Sequence, residues 1–119
     1  MSTFTKITNQ DEFDSAIKNK YVLIDATAIW CRPCQQIKPE IVKLSKEYTN
    51  INFYYCDVDE CDECSIQDNV RVLPTFLLYE NGKLFKTLEG GGKKGLQNVI
   101  KWLNVLIDEK SDEKSDESE

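Results

Sequence analysis

Apolar and polar residues follow two rhythms along this chain, and the switches between them mark out a succession of strands and helices. Phe4–Ile7 reads as a short strand. Asn9 followed three residues later by Glu12 has the form of a capping box, which predicts a helix to about Lys18 with Phe13, Ala16 and Ile17 on one face. Tyr21–Asp25 (YVLID) is a continuous apolar run ending in an acid, the pattern of a central strand covered on both faces. Cys34–Tyr48 carries Ile37, Ile41, Leu44 and Tyr48 at three- and four-residue spacing, one stripe of an amphipathic helix. Pro39 lies inside that stripe and predicts a kink. Asn52–Val58 is a further strand, and Asp59 is placed to cap a short helix over Glu60–Asn69. Thr75–Tyr79 and Lys83–Leu88 flank Glu80-Asn81-Gly82-Lys83, whose Asn-Gly centre is a two-residue hairpin signal. Gly90–Gly92 break the chain before a last helix, Gly95–Ile107, with Leu96, Val99, Ile100, Leu103 and Ile107 turned inward.

The order β-α-β-α-β-α-β-β-α implies an α/β protein, a mixed sheet with helices on both faces. A chain of 119 residues suits one domain, drawn here as residues 1–107. Residues 108–119 hold seven acids and two lysines, which is five of the six net negative charges. This acidic segment has no apolar residue after Ile107 and is expected to be disordered. Ser111 and Ser115, each followed by two acids, are candidate phosphorylation sites within it. The near-neutral body offers no electrostatic attraction for nucleic acid or an anionic membrane. No apolar run approaches the ~20 residues needed to span a bilayer. The opening MSTFTKITNQDEF lacks the layout of a secretory signal, so the expectation is a cytoplasmic protein in a thiol-reducing compartment. Histidine is absent, which excludes Cys-His and Ser-His-Asp catalysis and any His-ligated metal.

Five cysteines in such a compartment read as catalytic, metal-binding or buried rather than as a structural framework. Cys31 and Cys34 follow a buried strand and open a helix. There the free backbone N–H groups and the positive end of the helix dipole stabilise a thiolate on the first sulfur, with the second one turn away. The spacing also fits a zinc knuckle with Cys61 and Cys64, the second Cys-x-x-Cys, although the 26 intervening residues exceed the usual ribbon spacing. Trp30 before the pair, Pro33 within it and Asp25 six residues upstream favour redox chemistry. Cys61 and Cys64 read either as a regulatory pair of thiols or as a packed Cys64 beside an incidental Cys61, and Cys56 as core packing.

From about Phe4 to Ile107 the sequence resembles the thioredoxin family. The matching residues, in order, are Val22-Leu23-Ile24-Asp25, Trp30-Cys31-Arg32-Pro33-Cys34, Pro39, Asp57-Val58-Asp59, Leu73-Pro74-Thr75-Phe76, Asn81-Gly82-Lys83 and Gly90. The resemblance implies a thioredoxin fold, a central five-stranded mixed sheet flanked by four helices, acting as a monomer. It implies a protein-disulfide reductase serving electron transport and cell redox homeostasis, with Cys31 as nucleophile and Cys34 as resolving thiol. Asp25 would move the proton at Cys34, and Pro74 would be a cis-proline facing the dithiol. Trp30, Arg32, Pro33, Leu73, Gly90 and Gly91 would form the surface on which disulfide-containing targets dock. Electrons would come from a flavin-containing, NADPH-dependent thioredoxin reductase, and the protein itself would need no cofactor and no metal.

The chain departs from the family's pattern at four positions. Arg32 stands where Gly is usual, and its charge favours thiolate at Cys31 and a more oxidising pair. Ala26 and Thr27 replace residues that are normally aromatic, which thins the packing behind the dithiol. Tyr55 stands where many members have a Lys paired with the buried acid, so Asp25 is expected to be easier to protonate. Two other readings remain beside the reductase: an oxidase or isomerase of the protein-disulfide-isomerase kind, and a non-catalytic interaction module.

Overall fold

In the computed structural model, which describes residues 4–108, the predicted strands all form. They are β1 (Phe4–Ile7), β2 (Tyr21–Thr27), β3 (Asn52–Asp57), β4 (Thr75–Glu80) and β5 (Lys83–Glu89), in the sheet order β1-β3-β2-β4-β5. β1, β3 and β2 run parallel, while β4 is antiparallel to β2 and β5 to β4, so the sheet is mixed as expected. β2 lies at its centre. Asn81 and Gly82, with φ of 52° and 87°, make the primed turn that joins β4 to β5.

Three α-helices cover the sheet: α1 (Gln10–Ala16), α2 (Arg32–Glu47) and α3 (Gly92–Ile107). Asn9 caps α1 by accepting the Glu12 backbone N–H at 2.9 Å. The Glu12 carboxylate reaches one residue further back than a standard capping box, taking the backbone N–H and hydroxyl of Thr8 at 2.7 and 2.9 Å. Those bonds hold its pKa below the ordinary carboxylate value. α2 runs as one helix through Pro39 and starts two residues earlier than its apolar stripe predicts, with Cys31 as N-cap.

Side-chain alternation along β2 divides the core. Leu23 packs with Phe53, Phe76, Ile37 and Ile41 beneath α2 and α3, whereas Val22, Ile24 and Ala26 pack with Phe13 and Ile66 beneath α1. The inner face of α3 is turned from its predicted centre: Val99 and Leu103 are buried as expected, joined by Gly95 and Leu106, while Leu96, Ile100 and Ile107 only flank the core. Gly95 belongs to that face because a Cβ there would lie 2.5 Å from the Gly90 carbonyl oxygen.

The fourth expected helix does not form as predicted. Only Ser65–Asn69 is helical, as one 3-10 segment, and Val58–Cys64 is a series of turns and bends. Side chains capture the backbone groups that a helix over Glu60–Asn69 would use. Gln67 Nε2 donates to the Cys61 carbonyl at 2.9 Å and Gln10 Oε1 accepts the Ser65 N–H at 2.7 Å, the two groups that a helix would have joined to each other. Cys64, with extended backbone at ψ 148°, ends the turns. Asp108 is the C-cap of α3. The acidic segment beyond it, with Ser111 and Ser115, lies outside the described residues. Among the described residues no helix is long and apolar enough to cross a membrane.

Substituting Gly95→Ala forces a methyl group against the Gly90 carbonyl and should destabilise the protein by about 1–3 kcal/mol, read from urea unfolding midpoints. Stability equal to that of the parent would show that α3 can lift from Gly90 without loss.

Candidate functional site

The site grows from the end of β2. Its apolar run is hydrogen-bonded to β3 on one side and β4 on the other, so the strand is buried up to Ala26. Four residues beyond Thr27 the chain enters α2 at Cys31. Cys31 and Cys34 are joined as a disulfide with their Cα atoms 5.3 Å apart. The Cys34 backbone N–H points at the Cys31 sulfur at 3.3 Å, one of the free N–H groups of the helix N-terminus. Both sulfur-bearing residues are buried against Ala28, with Val58 and Leu73 beside them. Arg32 and Pro33, between them, are exposed.

Asp25 lies on the α2 side of β2, in the same row as Tyr21 and Leu23. It is 2 % exposed, and its Oδ1 has no hydrogen-bond partner. Burial pushes its pKa from 3.8 up to about 7, and the nearby Lys38 ammonium offsets part of that rise. Its partner in register on β3 is Tyr55, the residue that stands where many family members have a Lys. The site is not without a cation, however. Lys38 comes from α2 and places its Nζ 4.8 Å from the centre of the Tyr55 ring. A cavity of about 250 Å³ opens here, walled by Thr27, Ala28, Lys38 and Tyr55, where the small residues at the end of β2 leave room.

On the other side of the dithiol is a groove of about 600 Å³. Trp30, Cys31, Arg32, Pro33 and Leu73 line it, joined by Val58, Gln67 and Arg71. Trp30 is 70 % exposed, and its indole N–H donates to the Asp59 carboxylate at 2.7 Å, which ties the ring to the turn after β3. The Leu73–Pro74 peptide bond is cis. Gly91 lies against the two prolines: a Cβ there would meet Pro74 at 3.3 Å and Pro33 at 3.5 Å. Gly90 stands behind, its N–H donating to the Pro74 carbonyl at 2.9 Å, and neither glycine lines the groove itself.

The other cysteines are elsewhere. Cys61 and Cys64 pack beneath α1 with Ile7, Phe13 and Ile66, so the two Cys-x-x-Cys pairs do not converge on one point. Among the described residues no cluster of three or more Cys, Asp or Glu side chains is arranged to hold a metal ion. Cys56 is a buried free thiol whose pKa burial raises to about 11. Three residues around the dithiol were not singled out by sequence reasoning. Lys38 was detectable, because it follows Cys34 by four residues and so shares its helix face. Asp59 was read as a helix cap rather than as the support of Trp30. Arg71 carried no local signal, and it is held in a two-bond ion pair with Glu89 at 3.1 Å.

A family model described as Thioredoxin matches residues 4–103. The chain belongs to the thioredoxin family. It is 43 % identical to the thioredoxin of Geodia cydonium, over 76 % of this chain and 89 % of that one. The structure of Plasmodium falciparum thioredoxin aligns with a TM-score of 0.75 at 40 % identity, covering 82 % of this chain and 96 % of that one. Oxidised mitochondrial thioredoxin 3 from Saccharomyces cerevisiae aligns with a TM-score of 0.74 at 37 % identity, covering 83 % and 94 %. The fold is thus the thioredoxin fold, with a five-stranded mixed sheet and three α-helices. With the Cys31–Cys34 pair at its expected place, the protein is a thiol–disulfide oxidoreductase of the protein-disulfide reductase kind.

The raised pKa of Asp25 has a defined effect on stability. The folded carboxyl holds its proton more tightly than the unfolded one, so its favourable contribution is complete below about pH 4 and is lost as pH rises through about 7. Asp25→Asn should therefore match the parent near pH 4 and exceed its stability at pH 8 by roughly 4 kcal/mol at most, measured by urea unfolding. A parent whose stability does not fall across that interval would contradict a buried, unpaired carboxyl. Lys38→Met removes the offsetting cation and should move the Asp25 titration further upward, followed by the NMR shift of its carboxyl carbon. An unchanged or lower midpoint would remove Lys38 from the site's electrostatics.

Proposed function

We propose that this protein transfers two electrons from the reduced Cys31/Cys34 dithiol to disulfides in other proteins. The Cys31 thiolate attacks one sulfur of the target disulfide, and the target's other sulfur leaves as a thiolate. Cys34 then gives its proton to the Asp25 carboxylate and attacks the Cys31 sulfur, releasing the second target sulfur. The target ends with two thiols and the protein with the Cys31–Cys34 disulfide. The observation that carries this reading is the Cys31–Cys34 pair at the N-terminus of α2, with an amide N–H on the Cys31 sulfur and the buried Asp25 carboxyl on the strand that faces this helix. A carboxylate with an ordinary pKa near 4 is a much weaker base toward a thiol than one near 7.

The groove supports docking of an extended segment of the target beside Leu73. Trp30 and Val72 offer exposed apolar surface next to Cys31, and Pro74 leaves no backbone donor of its own to compete. An NADPH-dependent thioredoxin reductase would return the electrons, and the chain's own part in that exchange is the same dithiol, with no cofactor or metal held by the protein. The proposed setting is the cytoplasm and cell redox homeostasis. The relatives also include a mitochondrial thioredoxin, and localisation of the tagged full chain decides between the two compartments.

Arg32 gives weight to a second reading, a more oxidising pair suited to disulfide formation or isomerisation. Its guanidinium is exposed at the first position of α2, next to Cys31. The two readings separate on the reduction potential of the Cys31–Cys34 couple in glutathione or NADPH-linked equilibria. The reductase should lie nearer the roughly −270 mV of thioredoxins than the roughly −180 mV of protein disulfide isomerase, and a value at the latter would overturn it.

Cys31→Ser should abolish insulin reduction. Cys34→Ser should keep the first attack and trap a mixed disulfide with the target, visible as a mass increase that dithiothreitol removes. Insulin reduction surviving in Cys31→Ser would refute the assignment of the nucleophile.

A further inference from the structure

Cys61 and Cys64 take no part in the reaction above, yet they too are paired, with Cα atoms 5.4 Å apart. Both are buried. Around them the backbone makes two tight links: Cys61 N–H to the Asp57 carbonyl at 3.0 Å and Cys64 N–H to the Cys61 carbonyl at 3.1 Å. The bridge therefore closes the turn that leads from β3 into the 3-10 helix.

Two contacts connect this turn to the groove. Gln67 Nε2 bonds both the Cys61 carbonyl and the Val58 carbonyl at 2.9 Å, and Gln67 and Val58 stand in the groove wall with Cys31. Asp59, two residues before Cys61, holds the Trp30 indole at 2.7 Å. On its far side the turn is tied to α1, where Gln10 Oε1 accepts the Ser65 N–H at 2.7 Å and Gln10 Nε2 donates to the Ser65 hydroxyl at 3.0 Å. A change at the bridge thus has α1 as a fixed support on one side and the target groove on the other.

The surroundings of this pair are the opposite of those at Cys31. Asp59, Glu60, Asp62 and Glu63 flank it, and like charge disfavours a thiolate. A cavity of about 260 Å³ bordered by Asn9, Glu60, Cys61 and Cys64 leads to it, large enough for a small thiol reagent but not for a folded protein. The size of the opening suits a small thiol or disulfide reagent as the exchange partner.

We propose that Cys61 and Cys64 form a second redox couple that sets the shape of the target groove. When oxidised, the bridge holds Val58, Asp59 and Gln67 in place; when reduced, the turn loosens and target affinity falls. The oxidant is a low-molecular-weight disulfide. One thiolate of the pair attacks it and expels a thiolate, then the second thiol attacks the mixed disulfide and expels the other. The two protons leave with the two small thiols, and two electrons pass from the pair to the oxidant. A small dithiol reverses the step. The effect on docking rests on the reading of the groove as the target site.

The experiment uses the full chain. In Cys31→Ser/Cys34→Ser, the protein is equilibrated in graded mixtures of reduced and oxidised glutathione, alkylated, and read by peptide mass spectrometry. Cys61 and Cys64 should lose alkylation together at one midpoint; both remaining alkylatable in the most oxidising mixture would overturn the couple. In the same protein the Trp30 indole N–H resonance should move between the two states, and an unmoved resonance would break the link to the groove. With Cys31 and Cys34 intact, the Cys61–Cys64 bridge verified as closed by alkylation, and electrons supplied by NADPH and a thioredoxin reductase rather than by a small dithiol, Cys61→Ala/Cys64→Ala should raise KM for insulin about three- to tenfold by loss of preorganisation, with turnover of a small aromatic disulfide unchanged. An unchanged KM would overturn the proposal. A parent chain that fails to reduce insulin at all would instead count against the proposed function, and the glutathione titration does not depend on that result.

Discussion

A carboxyl group deprived of water governs this molecule. Asp25 continues the row of Tyr21 and Leu23 along the central strand and so enters the layer between sheet and helix, where both of those residues pack into the apolar core. With Oδ1 unpaired and, among the described residues, Lys38 alone opposing the desolvation, the neutral form is favoured up to about pH 7. An apolar residue there would give a more stable sheet–helix interface. In return for that lost stability the fold keeps a titratable carboxyl of near-neutral pKa in the layer between the central strand and α2, out of contact with bulk water. The placement follows from strand alternation alone, because shifting β2 by one residue would turn the acid to the α1 side.

The chain carries the same four-residue pattern twice, with opposite electrostatics. Cys31 opens a long helix, receives an amide N–H at its sulfur, and is followed by Arg32. Cys61 closes a turn among four carboxylates and precedes only a short 3-10 segment. A helix N-terminus and a neighbouring cation favour a thiolate and neighbouring carboxylates disfavour one, so identical spacing sits in two different electrostatic settings. Position in the fold assigns the chemistry, since the first pair borders the groove and the second lies under α1. The helix expected over Glu60–Asn69 failed for a related reason. Gln67 and Gln10 side chains satisfied the Cys61 carbonyl and the Ser65 N–H, which a helix would have joined to each other, a competition that apolar periodicity cannot register.

Much of this was legible from residues alone. The YVLID run required a strand buried on both faces, Asn9 and Glu12 marked the start of α1, and Asn81-Gly82 could serve only as a hairpin turn with positive φ. The pair at Cys31 and Cys34, its position at a strand end, and the acid upstream were local features and therefore readable. Those features specified the reaction class because a thiolate at a helix N-terminus needs only its immediate neighbours.

Tertiary structure decided what depends on neighbours remote in sequence. It brought Lys38 to the buried acid from a helix rather than from the strand, and turned the inner face of α3 toward Gly95 and Leu106 because Gly90 approaches there. It set Asp59 under Trp30, 29 residues away, and paired Arg71 with Glu89 at the edge of the groove. The sequence by itself thus determined which groups react, since reactivity at a helix start is a local property. How strongly each holds its proton, and what surface a target meets, awaited the fold, because burial and charge act through space.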